Sequence, residues 1–185
     1  MISEWFEKVK KVNLEPSKFF QQKKSEGYAE PSKFVGTTGV FLGSLLTVFI
    51  LLASIFGSES LLAGLLASAI LVPTLAVMLV VNAFFQSLLV HIAVYISGKR
   101  GVETTYNAVA YPVGATGVWA WIPVLNLFAG IYSLYLQAKG VEILHDMSFG
   151  KALICVAWPI ILSVVLSMIA AVVLIFFGLF GLAAV

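Results

Sequence analysis

The eleven Lys and Arg residues of this 185-residue chain fall into three patches: Lys8 to Lys33, the Lys99–Arg100 pair, and Lys139 with Lys151. Between the patches run stretches without Asp, Glu, Lys or Arg: residues 35–58, 60–98, 104–138 and 152–185. At about 1.5 Å rise per helical residue, the shortest of these already clears a hydrocarbon core of roughly 30 Å. Ionised groups are costly in that core, so the basic patches mark where the chain leaves it.

The count of crossings follows from parity. Basic residues near membrane ends favour the cytoplasmic side, which places all three patches there and requires an even number of crossings between neighbouring patches. Residues 35–58 form one crossing. Residues 60–98 are long for one and short for two, and a single long or kinked helix keeps Lys99 and Arg100 inside. Residues 104–138 are about twice a span, with a Pro-centred, Trp-rich turn at Trp119, Trp121 and Pro123. The expected fold is therefore all-α: a polytopic bundle of five transmembrane helices, at about 35–57, 60–96, 104–121, 123–138 and 152–180. The N-terminus is cytoplasmic and the C-terminus outside. Residues 1–33 form a cytoplasmic amphipathic segment and residues 34–185 the transmembrane domain.

Composition agrees: 61% hydrophobic, 11% charged and a mean hydropathy of +1.03 leave no room for a sizeable soluble domain. The net charge of +2 comes from the cytoplasmic patches and reports topology and attraction to anionic lipid, not nucleic-acid binding. The single Cys155 excludes an intramolecular disulfide and suits a small apolar packing role. The first dozen residues alternate apolar and charged positions, so no cleavable signal is expected.

Near the N-terminus, Ile2, Trp5, Phe6, Val9 and Val12 recur at helical spacing, with Lys10 and Lys11 among the charged positions opposite. Such a helix either lies at the headgroup boundary with its lysines toward anionic lipid, or packs on the chain's own cytoplasmic helix ends. A short repeat follows, Glu-Pro-Ser-Lys-Phe at 15–19 and again at 30–34, and each Pro suits the first turn of a helix. The first copy carries Pro16, Phe19 and Phe20; Trp119 and Trp121 are the remaining expected interface anchors.

Small residues four apart mark close helix packing in lipid: Gly39 with Gly43, Gly64 with Ser68, and Ser163 with Ser167. They serve packing within one chain or, for the first pair, a dimer seam. Pro73, Asn82, Gln86 and His91 lie in the over-long second segment, and the last three are candidates for a polar path. Enzyme chemistry has little to draw on. Glu142, His145 and Asp146 are the only cluster of metal-ligand type, short of a third or fourth ligand, and a solvated loop is the better reading. No catalytic, cofactor or metal residue is expected, and no Gly-rich phosphate loop or Ser/His/Asp set occurs.

In order and spacing these features resemble the Yip domain family, small five-helix membrane proteins named for interaction with Ypt/Rab GTPases. Three stretches carry the resemblance. The lead with Trp5, Phe6, Pro16, Phe19 and Phe20 is similar to that of prokaryotic members. The run from His91 to Tyr111 and Pro112 is similar to the loop after the family's second helix and the entry to its third. Gly140, His145, Lys151 and Ala152 look like its last cytoplasmic connection. The resemblance implies a non-enzymatic integral membrane protein that organises membrane or a membrane-protein complex. Its implied partners are lipids, further copies of itself or other membrane proteins, in the cell membrane of a prokaryote or the ER/Golgi of a eukaryote. The chain departs from the eukaryotic pattern in its short lead and in lacking an Asp-Leu-Tyr-Gly-Pro motif, which puts binding of a Rab-type GTPase in doubt. A small transporter or channel lined by the second helix is the alternative function.

Overall fold

The computed structural model describes residues 2–23, 26–57 and 60–183, which form seven helices and, among the described residues, no strand. Helix α1 (Ile2–Leu14) buries Trp5, Val9 and Val12, one face at helical spacing. Helix α2 (Pro16–Gln21) opens with Pro16 in its first turn and buries Phe19 and Phe20. The second copy of the repeat does the same for α3 (Ala29–Phe56), whose first turn contains Pro31. A proline ring has no N–H to lose there, because first-turn amides lack helical acceptors anyway.

Helix α4 (Leu61–Ile96) is capped by the Ser60 hydroxyl, which accepts from the Ala63 amide, and runs unbroken through Pro73 for 36 residues. Left-handed backbone at Gly98 and Gly101 then turns the chain into α5 (Val102–Gly117). This helix stops short of the expected residue 121, because residues 118–122 form the Trp-rich turn. Helix α6 (Pro123–Leu144) starts on Pro123 and runs past the expected residue 138, carrying a Lys139–Glu142 pair at 2.8 Å on its last turns. Helix α7 (Phe149–Ala183) completes the chain.

Among the described residues, three helices are long and apolar enough to cross a membrane: α3, α4 and α7, the last over Phe149–Val173. The chain is thus an all-helical protein of membrane type. Helix α5 has 16 residues, about 24 Å of rise, and is the most enclosed element; it touches α1, α3, α4 and α6. Helices α1 and α2 do not stand apart from this bundle. Trp5, Val9, Val12, Phe19 and Phe20 share one buried cluster with Val90, Tyr111, Val141 and Val156.

Contacts along α3 and α4 fix the relative depth of the two hairpins. A Cβ placed on Gly36 would meet Val80, on Gly39 Ala76, on Gly43 Val72, and on Gly64 Ser54, so α3 and α4 pair antiparallel to their common tip. The C-terminal end of α5 reaches only Thr38: the Thr38 hydroxyl lies 3.0 Å from the Gly114 carbonyl oxygen, and Gly117 faces the same side chain. On the α4 side that level is Leu79, which lines a cleft with Gly117 and Asn126. From Thr38 to Phe56, and again from Leu61 to Leu79, the α3–α4 hairpin continues roughly 27 Å beyond the level at which α5 ends.

Candidate functional site

Four assemblies of side chains surround α5. The first joins the N-terminal elements to its middle. Phe19 and Phe34, the final residues of the two repeat copies, both pack on the Tyr111 ring, at centroid distances of 4.8 and 5.5 Å. Phe20 seats over Gly140, where a Cβ would come within 2.9 Å of its ring and 3.0 Å of the Ala108 Cα. The Tyr111 hydroxyl donates to the Glu26 carboxylate, Lys23 pairs with the same carboxylate at 2.6 Å, and the Asn107 amide donates to the Glu26 carbonyl. Pro112 and Ala152 are buried in the same body, Pro16 is half-buried, and Lys151 is exposed. Phe19, Phe20, Tyr111 and Gly140, far apart in sequence, therefore meet in one place.

The second assembly is a groove of about 720 Å³ between α1 and the turn after α5. Trp5 forms its floor. That ring is 8% exposed, lies tilted against Phe41 at a centroid distance of 5.3 Å, and donates its indole N–H to the Thr38 hydroxyl at 3.1 Å. Of the two readings left open for α1, the structure seats Trp5, Val9 and Val12 on the chain's own helices. Phe6, at 61% exposed, forms a wall with Trp119 and Trp121, both also open at the surface. Lys10 stands at the rim and makes no ion pair among the described residues; Lys11 points away to the surface, and Phe19 and Phe20 are core residues. Asn13 fixes the groove's far end, donating to the Ala115 carbonyl at 3.2 Å while its own carbonyl accepts from the Tyr132 hydroxyl.

The third is a polar cleft of about 350 Å³ among α4, α5 and α6. Asn82, Gln86, Asn126, Ser133 and Gln137 line it, and Gln86 donates to Gln137 at 3.3 Å while Gln137 donates to Ser133 at 3.2 Å. His91 does not belong to this cleft. It belongs to the fourth assembly, in which its Nδ1 lies 2.8 Å from the Thr105 hydroxyl and the His145 Nε2 lies 2.9 Å from the same oxygen. A hydroxyl carries one proton, so at least one of the two imidazoles donates its N–H to Thr105. Burial, with His91 and Lys99 as neighbours, pushes His145 down to about 4, so the ring is neutral near pH 7. The pairing joins α4, α5 and the end of α6, and no local spacing announces it. His145 thus serves this pairing, Glu142 pairs with Lys139, and no group of three His, Cys, Asp or Glu among the described residues could hold a metal.

The small-residue pairs divide. Gly39, Gly43 and Gly64 lie inside the α3–α4 contact, with Ser68 buried beside them and its hydroxyl donating to the Gly64 carbonyl at 2.8 Å. Ser163 and Ser167 are exposed on α7, which leaves the core after Val156. Among known proteins, no family model matches the chain, and no curated protein or solved structure matches it either.

Proposed function

We propose that this chain is a non-enzymatic integral membrane protein, of the Yip-like type its sequence resembles, that organises the bilayer or a membrane-protein complex. One observation carries the reading. Hydrogen bonds from the buried Trp5 and Tyr111 side chains hold the N-terminal segment against α3 and α5, whereas the outward surface of α3, α4 and α7 is almost wholly aliphatic and aromatic. Surfaces of that kind bind lipid tails and other helices, not polar substrates.

In this reading the N-terminus is cytoplasmic, the C-terminus is outside, and the chain crosses three times rather than the five expected from hydropathy. The α3–α4 hairpin runs roughly 27 Å past the level at which α5 ends, most of one membrane thickness, so upright the two hairpins do not both span the same bilayer. Charge favours the α3–α4 tip as the one that crosses. Glu4, Glu7, Lys8 and Lys10 ride on α1, which packs beside the C-terminal half of α5, and the Lys23–Glu26 pair reaches Tyr111. Those ionised groups set the height of α5 at the cytoplasmic boundary. Phe84, Phe85, Phe128 and Ile131 are exposed on α4 and α6 and seat the body against the leaflet. The α5–α6 hairpin then dips toward the leaflet and returns, and all three basic patches stay on one side.

The polar cleft supports a second reading, a small transporter or channel working past Asn82 and Gln86. Reconstitution in sealed vesicles separates the two. The organising role predicts self-association by energy transfer between labelled copies, or a changed vesicle diameter, with solute flux equal to that of empty vesicles. Flux that falls when Asn82 and Gln86 are replaced by Leu would overturn it in favour of transport.

A further inference from the structure

We infer that the groove between α1 and the turn after α5 is a binding site for one anionic phospholipid of the cytoplasmic leaflet, its acyl chain lying on Trp5 and its phosphate at Lys10. The volume of about 720 Å³ falls in the range of built ligand sites. Its lining is almost entirely apolar, and its polar groups sit at the ends: Lys10 at the rim, and Asn13, whose hydrogen bonds are already made within the chain. A neutral peptide or a soluble polar molecule would leave buried polar atoms unmatched there. An acyl chain has none to match.

Charge selects the headgroup. Lys10 is exposed and unpaired among the described residues, whereas Lys8 is bound to Glu30 at 3.1 Å and Lys18 to Glu15 at 3.0 Å. Lys11 is likewise exposed and without an ion pair among the described residues, but of the two only Lys10 stands at the mouth of the apolar groove. The walls are also preset, because the hydrogen bond from Trp5 to Thr38 and those at Asn13 fix α1 before any ligand arrives. Preorganisation of this kind keeps the entropy cost of binding low.

The proposal rests on the reading that this face lies at the bilayer boundary, but its test does not depend on the number of crossings. Three of the four tryptophans, Trp5, Trp119 and Trp121, line the groove, and Trp158 does not. The full chain carrying Trp158→Phe, purified in an uncharged detergent, is titrated with phosphatidylglycerol or phosphatidylcholine bearing brominated chains, and Trp fluorescence is followed. Phosphatidylglycerol is expected to quench at lower concentration than phosphatidylcholine. Lys10→Glu should reduce that preference by about fivefold or more, since a lysine near an anionic headgroup contributes about 1 kcal/mol. Phe6→Glu should abolish quenching by both lipids. Both residues are exposed, so helix content and melting temperature are expected to stay at the parent values and report folding separately. Equal quenching by the two lipids, or quenching that neither substitution alters, would overturn the proposal. So would a groove closed by a second copy, seen as concentration-dependent association that Phe6→Glu removes with no lipid preference in the parent.

Discussion

Single side chains in this protein act mostly by fitting or by failing to fit. At Gly39 a Cβ would lie 2.5 Å from the Ala76 Cα, so Gly39→Val forces two backbones apart. The expected loss is about 3 kcal/mol or more, at the upper end of overpacking costs, read as a lower melting temperature in detergent. Gly130, also helical, has nothing within 4 Å of such a Cβ, and Gly130→Ala should stabilise by about 0.5–1 kcal/mol through reduced backbone entropy. The pair separates close approach from mere helix propensity. His145 supplies a pH effect of definite sign. Its ring is held neutral well below its ordinary range, so the unfolded chain takes up a proton that the folded chain refuses. Stability attributable to this site is fully present above about pH 6.5 and is lost as pH falls toward 4, on the order of 2–3 kcal/mol in all. Melting temperature should therefore decline between pH 6.5 and 4.5 in the parent. His145→Gln should flatten that decline.

The elements show which parts of the molecule could be read from its residues. Uncharged length identified α3, α4 and α7, and the repeated Pro placed the starts of α2 and α3, because both signals are local. The close approach at Gly39 and Gly43 was legible for the same reason: small residues four apart share one helical face whatever the partner. Depth was not legible. Hydropathy gives the length of an apolar stretch but says nothing about which neighbour it stops beside, and only the contacts of Gly114 and Gly117 with α3 place the end of α5 level with Thr38. One signal was available: residues 104–117, ahead of the Trp-rich turn, offer about 21 Å of helix, short of a roughly 30 Å core. The site was partly legible too. The spacing of Trp5, Val9 and Val12 pointed to one face of α1, and all three are buried, but periodicity alone does not distinguish a lipid from a protein partner for Trp5. The junction of α1 and α2 with α5 should behave as one cooperative unit held by Glu26. Glu26→Gln weakens the Lys23 pairing and the charge-assisted bond from Tyr111, at a cost of about 1–3 kcal/mol. The expected readout is faster proteolysis within residues 15–28, with the α3–α4 hairpin unaffected.

The whole molecule is a long apolar hairpin, α3–α4, and an apolar tail, α7, attached to a compact body whose centre is α5. The body carries α1 and α2 with their ionised residues, and it also exposes Phe84, Phe85 and Phe128 on α4 and α6. In the proposed reading such a body sits at a boundary between water and lipid, where its charged residues meet headgroups and its apolar surface meets chains. Helix α4 has about 54 Å of rise, too much for an upright crossing of a 30 Å core, and in this arrangement its first half crosses while its second half packs on α5 and α6. The organising role and the lipid groove both depend on this placement of the body. The most direct test uses single-cysteine variants made on Cys155→Ala, Ser60→Cys at the tip of α3–α4 and Ala120→Cys at the tip of α5–α6, exposed in sealed vesicles to a membrane-impermeant maleimide. The account predicts that Ser60→Cys is labelled from the outside while Ala120→Cys is not. Labelling of both from the outside would contradict it and restore five crossings.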